Sequence, residues 1–118
     1  MKGGYKVDLE FIRGDTQFIK FKLKDGLGNP ITLTGRENIY FTVKQDPNSS
    51  KVLIQKKYPI DIKYQEGYFI FTMDSEDTSD LAYGTYQYDI EFKAEDFVKT
   101  LGVGTITLIE EITHRRDE

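Results

Sequence analysis

The sequence predicts an all-β protein: an antiparallel Greek-key β-sandwich of about seven to nine short strands, with turn signals every ~8–12 residues. Three observations predict it. From Thr85 to Lys93 the chain alternates without error, with Tyr86, Tyr88, Ile90 and Phe92 on one side and Thr85, Gln87, Asp89, Glu91 and Lys93 on the other. That period of two marks a half-buried strand. Eight Tyr, eight Phe and ten Gly in 118 residues form the composition of a β protein. Just ahead of the alternating run stands Leu81-x-x-Gly84-x-Tyr86. This is the form of a tyrosine corner, in which a phenol turns back to hydrogen-bond the backbone of the preceding crossover and pins one sheet to the next.

The other elements follow in order. Residues 1–4 read as a loose leader. Tyr5 to Ile12 is a first strand, with Val7, Leu9 and Phe11 on one side, and Arg13-Gly14-Asp15-Thr16 is a turn. Gln17 to Lys24 is a second strand, on which Ile19, Phe21 and Leu23 alternate with Lys20, Lys22 and Lys24. The three lysines keep one face in water and discourage stray edge pairing. Asp25-Gly26-Leu27-Gly28-Asn29-Pro30 is a dense turn signal, and Ile31 to Gly35 is a short crossover. Asn38 to Gln45 is a strand with Ile39, Phe41 and Val43 inward; Val52 to Lys57 is a weaker one, and Pro59 to Tyr64 a short extended piece. Tyr68 to Met73 is aromatic on both faces. Asp74 to Asp80 breaks the β pattern, and Ser75 or Thr78 is expected to cap a single helical turn near residues 75–83. After the alternating strand, Ala94-Glu95-Asp96 forms a hairpin turn. Phe97 to Leu101 returns, Gly102 and Gly104 mark a bulge or bend, and Thr105 to Ile112 closes the sheet. Residues 114–118 belong to a charged, loose tail.

The length fits one domain with one core, spanning residues 1–118. No apolar run approaches the ~20 residues that cross a bilayer, and no membrane partner is expected. The absence of Cys excludes disulfides and thiolate chemistry and fits synthesis in a reducing cytosol. A net charge of −4 argues against nucleic acid as a partner. The charge is unevenly spread: residues 1–65 carry 12 Lys/Arg and 7 Asp/Glu, whereas residues 66–96 carry 1 and 9. These two regions either face each other within the fold or lie on opposite surfaces. The second arrangement suits head-to-tail assembly.

No constellation for catalysis stands out, and none for a cofactor or a metal. His114 is the single His and lies in the tail beside Arg115 and Arg116. Gly102-x-Gly104 lacks the third Gly and the Lys-Ser/Thr pair of a phosphate loop. The acids Asp74, Glu76, Asp77 and Asp80 lack the Gly and closing Glu of a calcium loop, since Ser79 and Thr85 stand there. Arg13-Gly14-Asp15 matches an integrin-binding tripeptide, yet reads as ordinary turn chemistry. Phe18 and Tyr40, with either Tyr68 or Phe69, fall on the outer parity of their strands. Aromatics there offer a subunit interface or a sugar-stacking platform.

Several stretches together carry a resemblance. They are Gly14-Asp15-Thr16, the Asp25-Gly26…Asn29-Pro30 turn, Ile31 to Gly35, Ile39-Tyr40-Phe41-Thr42-Val43-Lys44, and Asp77-Thr78…Leu81…Gly84-x-Tyr86-x-Tyr88-Asp89-Ile90. From about residue 12 to Thr113 the order resembles the N-terminal domain of phage baseplate upper proteins and related small phage or prophage tail proteins. The resemblance implies an immunoglobulin-like sandwich acting as a non-enzymatic structural adaptor. Such a protein would be made in the host bacterial cytoplasm and built into the virion. Its implied partners are other tail or baseplate proteins and copies of itself. The sequence stops at residue 118, short of the long C-terminal extension of a full baseplate protein, which suits a free-standing adaptor or a domain cut from something larger rather than a receptor binder. The structural residues expected to matter are Leu81, Gly84 and Tyr86. The expected interface residues are Phe18, Tyr40, Lys20, Lys22, Lys24, Asp89 and Glu91. The alternative expectation is a carbohydrate-binding or adhesin-like sandwich that uses exposed Tyr and Phe.

Overall fold

The computed structural model describes residues 5–6, 8–24, 27–31, 33, 37–95 and 97–110. They form nine strands and one short helix: β1 (Tyr5–Lys6), β2 (Leu9–Ile12), β3 (Gln17–Phe21), β4 (Asn38–Lys44), β5 (Ile54–Tyr58), β6 (Lys63–Gln65), β7 (Tyr68–Met73), α1 (Ser75–Ser79), β8 (Gly84–Ala94) and β9 (Phe97–Ile109). The protein is all-β with two sheets. The larger is ordered β1-β9-β8-β4-β5, with β2 also on β9; the smaller is ordered β3-β7-β6.

Alternation decides which side chains the sheets enclose. Ile39, Phe41 and Val43 of β4, and Tyr86, Tyr88 and Ile90 of β8, are all buried. They face Phe69, Phe71 and Met73 of β7 and Phe21 of β3, which are buried too. The two sheets meet through rings. Phe41 stacks on Tyr88 at 5.0 Å within its own sheet and packs on Phe71 of the other at 4.8 Å. Phe21 stacks on Phe69 at 5.5 Å. Ring pairs at these distances add to the area they bury.

Several expectations need correction. The larger sheet is not purely antiparallel: β1 and β2 run parallel to β9. A parallel pair needs a long connection, and here nearly the whole domain lies between the paired strands. The expected first strand is two. At the break, the Asp8 carboxylate accepts hydrogen bonds from the Thr105 hydroxyl (2.9 Å) and backbone N–H (3.3 Å). A side chain thus stands in for the ladder between Val103 and Ile106. The two closing strands, conversely, are one. β9 runs unbroken past Gly102 and Gly104, and its register against β8 shifts at Leu101, so Ile90 faces Gly102 while Glu91 faces Thr100. The bulge tucks Leu101 into the core, 6% exposed.

Other boundaries move by a few residues. β3 stops at Phe21, and Lys24 instead bridges Pro30. β5 begins at Ile54, and of the piece from Pro59 to Tyr64 only Lys63 and Tyr64 are strand, in a β6 that runs on to Gln65. The helical turn ends at Ser79, and its N-cap is Asp74, not Ser75 or Thr78. The Asp74 backbone N–H donates to the Asp77 carboxylate (2.7 Å), and the Asp77 N–H donates to the Asp74 carbonyl (2.9 Å). Asp74 serves because its extended backbone leads straight out of β7. Among the described residues no helix is long and apolar enough to cross a membrane. The expected leader (1–4), Val7, Asp25 and Gly26 of the turn signal, Thr32, Thr34 and Gly35 of the crossover, the hairpin residue Asp96, and the tail with His114 lie outside the described residues.

Candidate functional site

The first feature to place is the corner. The Tyr86 hydroxyl donates to the Ala82 carbonyl at 2.6 Å, with the ring buried at 3% exposure. Gly84, at φ +138°, lets the chain fold back between them, a conformation an L side chain resists. Leu81 is half-buried against the core. Its carbonyl accepts a hydrogen bond from the Arg13 guanidinium at 3.2 Å, and that guanidinium lies 4.2 Å from the centre of the Tyr83 ring. The Gly14 N–H donates to the buried Thr78 hydroxyl at 2.8 Å. The Arg13-Gly14-Asp15 tripeptide therefore clamps the β2–β3 turn to the segment before β8, and its Arg is committed to the fold.

The expected interface residues fall on two surfaces. On the outer face of the small sheet, Phe18 is 77% exposed. Lys20 and Lys22 follow it on the same side, and both ammonium groups sit over the Tyr68 ring, at 4.1 and 4.8 Å. Tyr68 thus points outward and Phe69 inward, 1% exposed. Lys63 of β6, paired with Ile70 opposite Lys20, adds a third exposed cation. Lys24 lies past the end of β3, exposed beside its bridge to Pro30.

Asp89 and Glu91 occupy the outer face of the large sheet. There they pair with Thr42 and Tyr40 of β4. The β3 lysines are not their strand neighbours, because β3 and β8 belong to different sheets. For these residues the two charge regions lie on the outer faces of different sheets. Elsewhere the regions do meet: Lys56 of β5, its side chain 12% exposed, pairs with Asp77 at 2.8 Å and with Asp74 at 4.0 Å.

A cleft of about 320 Å³ opens beside Asp89, lined also by Thr42, Lys44, Asp46, Pro47, Gln87 and Val103. A second hollow of about 230 Å³ lies toward the other end of the same face, at Asn38, Tyr40, Lys93 and Glu95. Partial burial, and then the neighbouring Glu91 carboxylate, hold the Asp89 carboxyl above the ordinary aspartate range; Lys44 pulls it part of the way back. Two like charges two residues apart on one strand repel, and an incoming cation relieves both. Tyr40 lies between the hollows, half-buried, with the Lys57 ammonium 5.7 Å from its ring centre. Sequence reasoning found Asp89, Glu91 and Tyr40 by parity. It missed Lys44, Asp46, Pro47 and Val103, because the cleft exists only once β4, β8 and β9 are in register. Among the described residues no group of acids and His gathers as a metal site.

No family model matches the chain, and no curated protein does. Solved structures do. The endo-beta-1,4-mannanase from Thermotoga petrophila aligns over 93% of this chain and 18% of its own, at 11% identity and a TM-score of 0.50. A family 123 glycoside hydrolase from Clostridium perfringens aligns over 91% of this chain and 23% of its own, at 12% identity and a TM-score of 0.40. The chain spans less than a quarter of either enzyme. At such identity the likeness to the mannanase concerns architecture alone.

Proposed function

We propose that this chain is a non-enzymatic structural adaptor of a phage or prophage tail or baseplate, acting through contacts with its own copies and with neighbouring virion proteins. Its architecture is read as an immunoglobulin-like Greek-key sandwich. Supporting that, β3, β7 and β6 form one layer, β9, β8, β4 and β5 the other, and the corner Tyr stands near the start of the penultimate strand. The observation that carries the functional reading is the pair of unlike outer faces. One presents the exposed Phe18 with Lys20, Lys22 and Lys63 to one side of it, and the other carries Asp89 and Glu91 between Lys44 and Lys93. Exposed aromatics are enriched at protein interfaces.

Size-exclusion chromatography with light scattering, run at several protein and salt concentrations, tests this. The expected result is a mass above that of the monomer at high protein concentration, falling as salt screens the contact. A strict monomer at every concentration that also ignores purified tail proteins overturns the adaptor reading.

A second reading draws on the cleft. Thr42, Gln87 and Asp89 offer hydrogen-bonding groups one row away from the Tyr40 ring, a layout that suits a neutral saccharide. Saturable binding on a glycan array, lost in Tyr40→Ala, would favour it over the adaptor.

A further inference from the structure

From the two faces we infer a specific contact: copies of this chain stack head to tail, the Phe18–Lys20–Lys22 row of one copy seated on the Gln87–Asp89–Glu91 row of the next. This rests on the adaptor reading and names its surface. Both rows are outward positions at two-residue intervals, along β8 in one and along β3 with Lys22 just past its end in the other, so neighbouring positions lie about 6.8 Å apart. Laid strand along strand, Lys20 meets Asp89 and Lys22 meets Glu91. The same direction carries Phe18 to Gln87, at the cleft whose walls include Val103, Pro47 and the stem of Lys44. The reverse direction sends Phe18 to Lys93 and leaves the cleft empty. Self-pairing of the basic faces is disfavoured, because Lys20 and Lys22 would oppose lysines.

Each surface is also prepared. Tyr68 gathers both lysine ammonium groups within 5 Å of one ring centre, which removes part of the ordering cost. Among the described residues the Asp89 carboxylate makes no hydrogen bond or ion pair, although the Lys44 charge acts on it. The contact is heterologous: it uses different patches on the two copies and leaves a free face at each end, so it grows into a stack or closes into a ring. Five residues and three strands span a patch of roughly 17 by 14 Å, short of the roughly 800 Å² each partner gives to a standard interface. A single contact is therefore weak, and the stack depends on concentration.

Charge reversal decides the matter. Two double variants are made, Lys20→Glu with Lys22→Glu, and Asp89→Lys with Glu91→Lys. Each has like-charged faces, and each is expected to associate at least tenfold more weakly than the wild type. Mixed in equal amounts they present opposite charges again, and association is expected to return. Zero-length carbodiimide crosslinking of the wild type, with one population isotope-labelled, gives a readout that needs no variant. Intermolecular links are expected between Lys20 or Lys22 and Asp89 or Glu91. If the wild type associates but the reversals have no effect, or the crosslinks join other pairs, the stacking contact is wrong and the adaptor reading stands. If the wild type never associates, the stacking contact is wrong, and binding to purified tail proteins then decides the adaptor reading separately.

Discussion

At the scale of single residues, two side chains carry most of the information. Tyr86 is a core ring with one polar atom, and that atom is spent on the Ala82 carbonyl. In Tyr86→Phe the ring and its packing remain while the hydrogen bond goes. Because Ala82 is exposed, water can reach the freed carbonyl, so the expected cost is about 1 kcal/mol. A urea titration showing a lower midpoint with an unchanged slope checks it. Asp89 acts in the opposite sense. Its folded-state pKa lies above the ordinary value of 3.8, chiefly through partial burial and then Glu91. Protonation therefore favours the folded state, and the ionised carboxylate costs stability at neutral pH. That cost fades as the pH falls through the folded-state value and is gone below the unfolded one. Asp89→Asn is expected to resist urea better than the wild type at pH 7, measured where the protein is monomeric. The gap should close as the medium is acidified, and a gap independent of pH contradicts the assignment.

Among the elements, α1 shows how a five-residue helix holds its place. It is too short to persist on propensity, so its contacts fix it. Lys56 reaches Asp77 from β5, and Thr78 reaches Gly14 from the β2–β3 turn. Thr78→Val keeps the shape and removes the acceptor, leaving the Gly14 N–H without its bond. The expected loss is about 1–2 kcal/mol, accompanied by faster amide exchange at Gly14. Little change in either would mean that the clamp is incidental. The sequence made α1 legible as a break in alternation between Met73 and Gly84, and it made β4, β7 and β8 legible through parity. The corner could be read because Leu81, Gly84 and Tyr86 keep local spacing. The rest depended on distant partners. Nothing near Asp8 announces Thr105, which lies 97 residues away. Gly102 and Gly104 mark a bulge or bend in the sequence, and the register does shift there, but the extra residue is Leu101, just ahead of Gly102, and the strand runs on unbroken. Asp74, Ser75 and Thr78 are all good cap residues, and only the extended path out of β7 selects Asp74.

For the whole molecule, stability depends on whether the two sheets stay together, because no disulfide joins them: the chain has no Cys. The join is aromatic. Phe41, at the centre of β4 and 1% exposed, touches Phe71 across the interface and Tyr88 beside it. Removing a fully buried Phe ring typically costs about 3–5 kcal/mol, the lost transfer energy plus the cavity left behind. Against a total of about 5–15 kcal/mol for a domain, that is enough to leave the fold marginal. Phe41→Leu keeps much of the volume and should cost far less, since near-isosteric core swaps usually stay under about 1.5 kcal/mol. Differential scanning calorimetry of the two variants separates the explanations. A wide gap between Ala and Leu, with a single transition in each, marks Phe41 as the packing link between layers. Two separate transitions in Phe41→Ala would instead mean that the sheets melt independently. Equal losses in the two variants would place the link at another ring pair, with Phe21 and Phe69 the next to test.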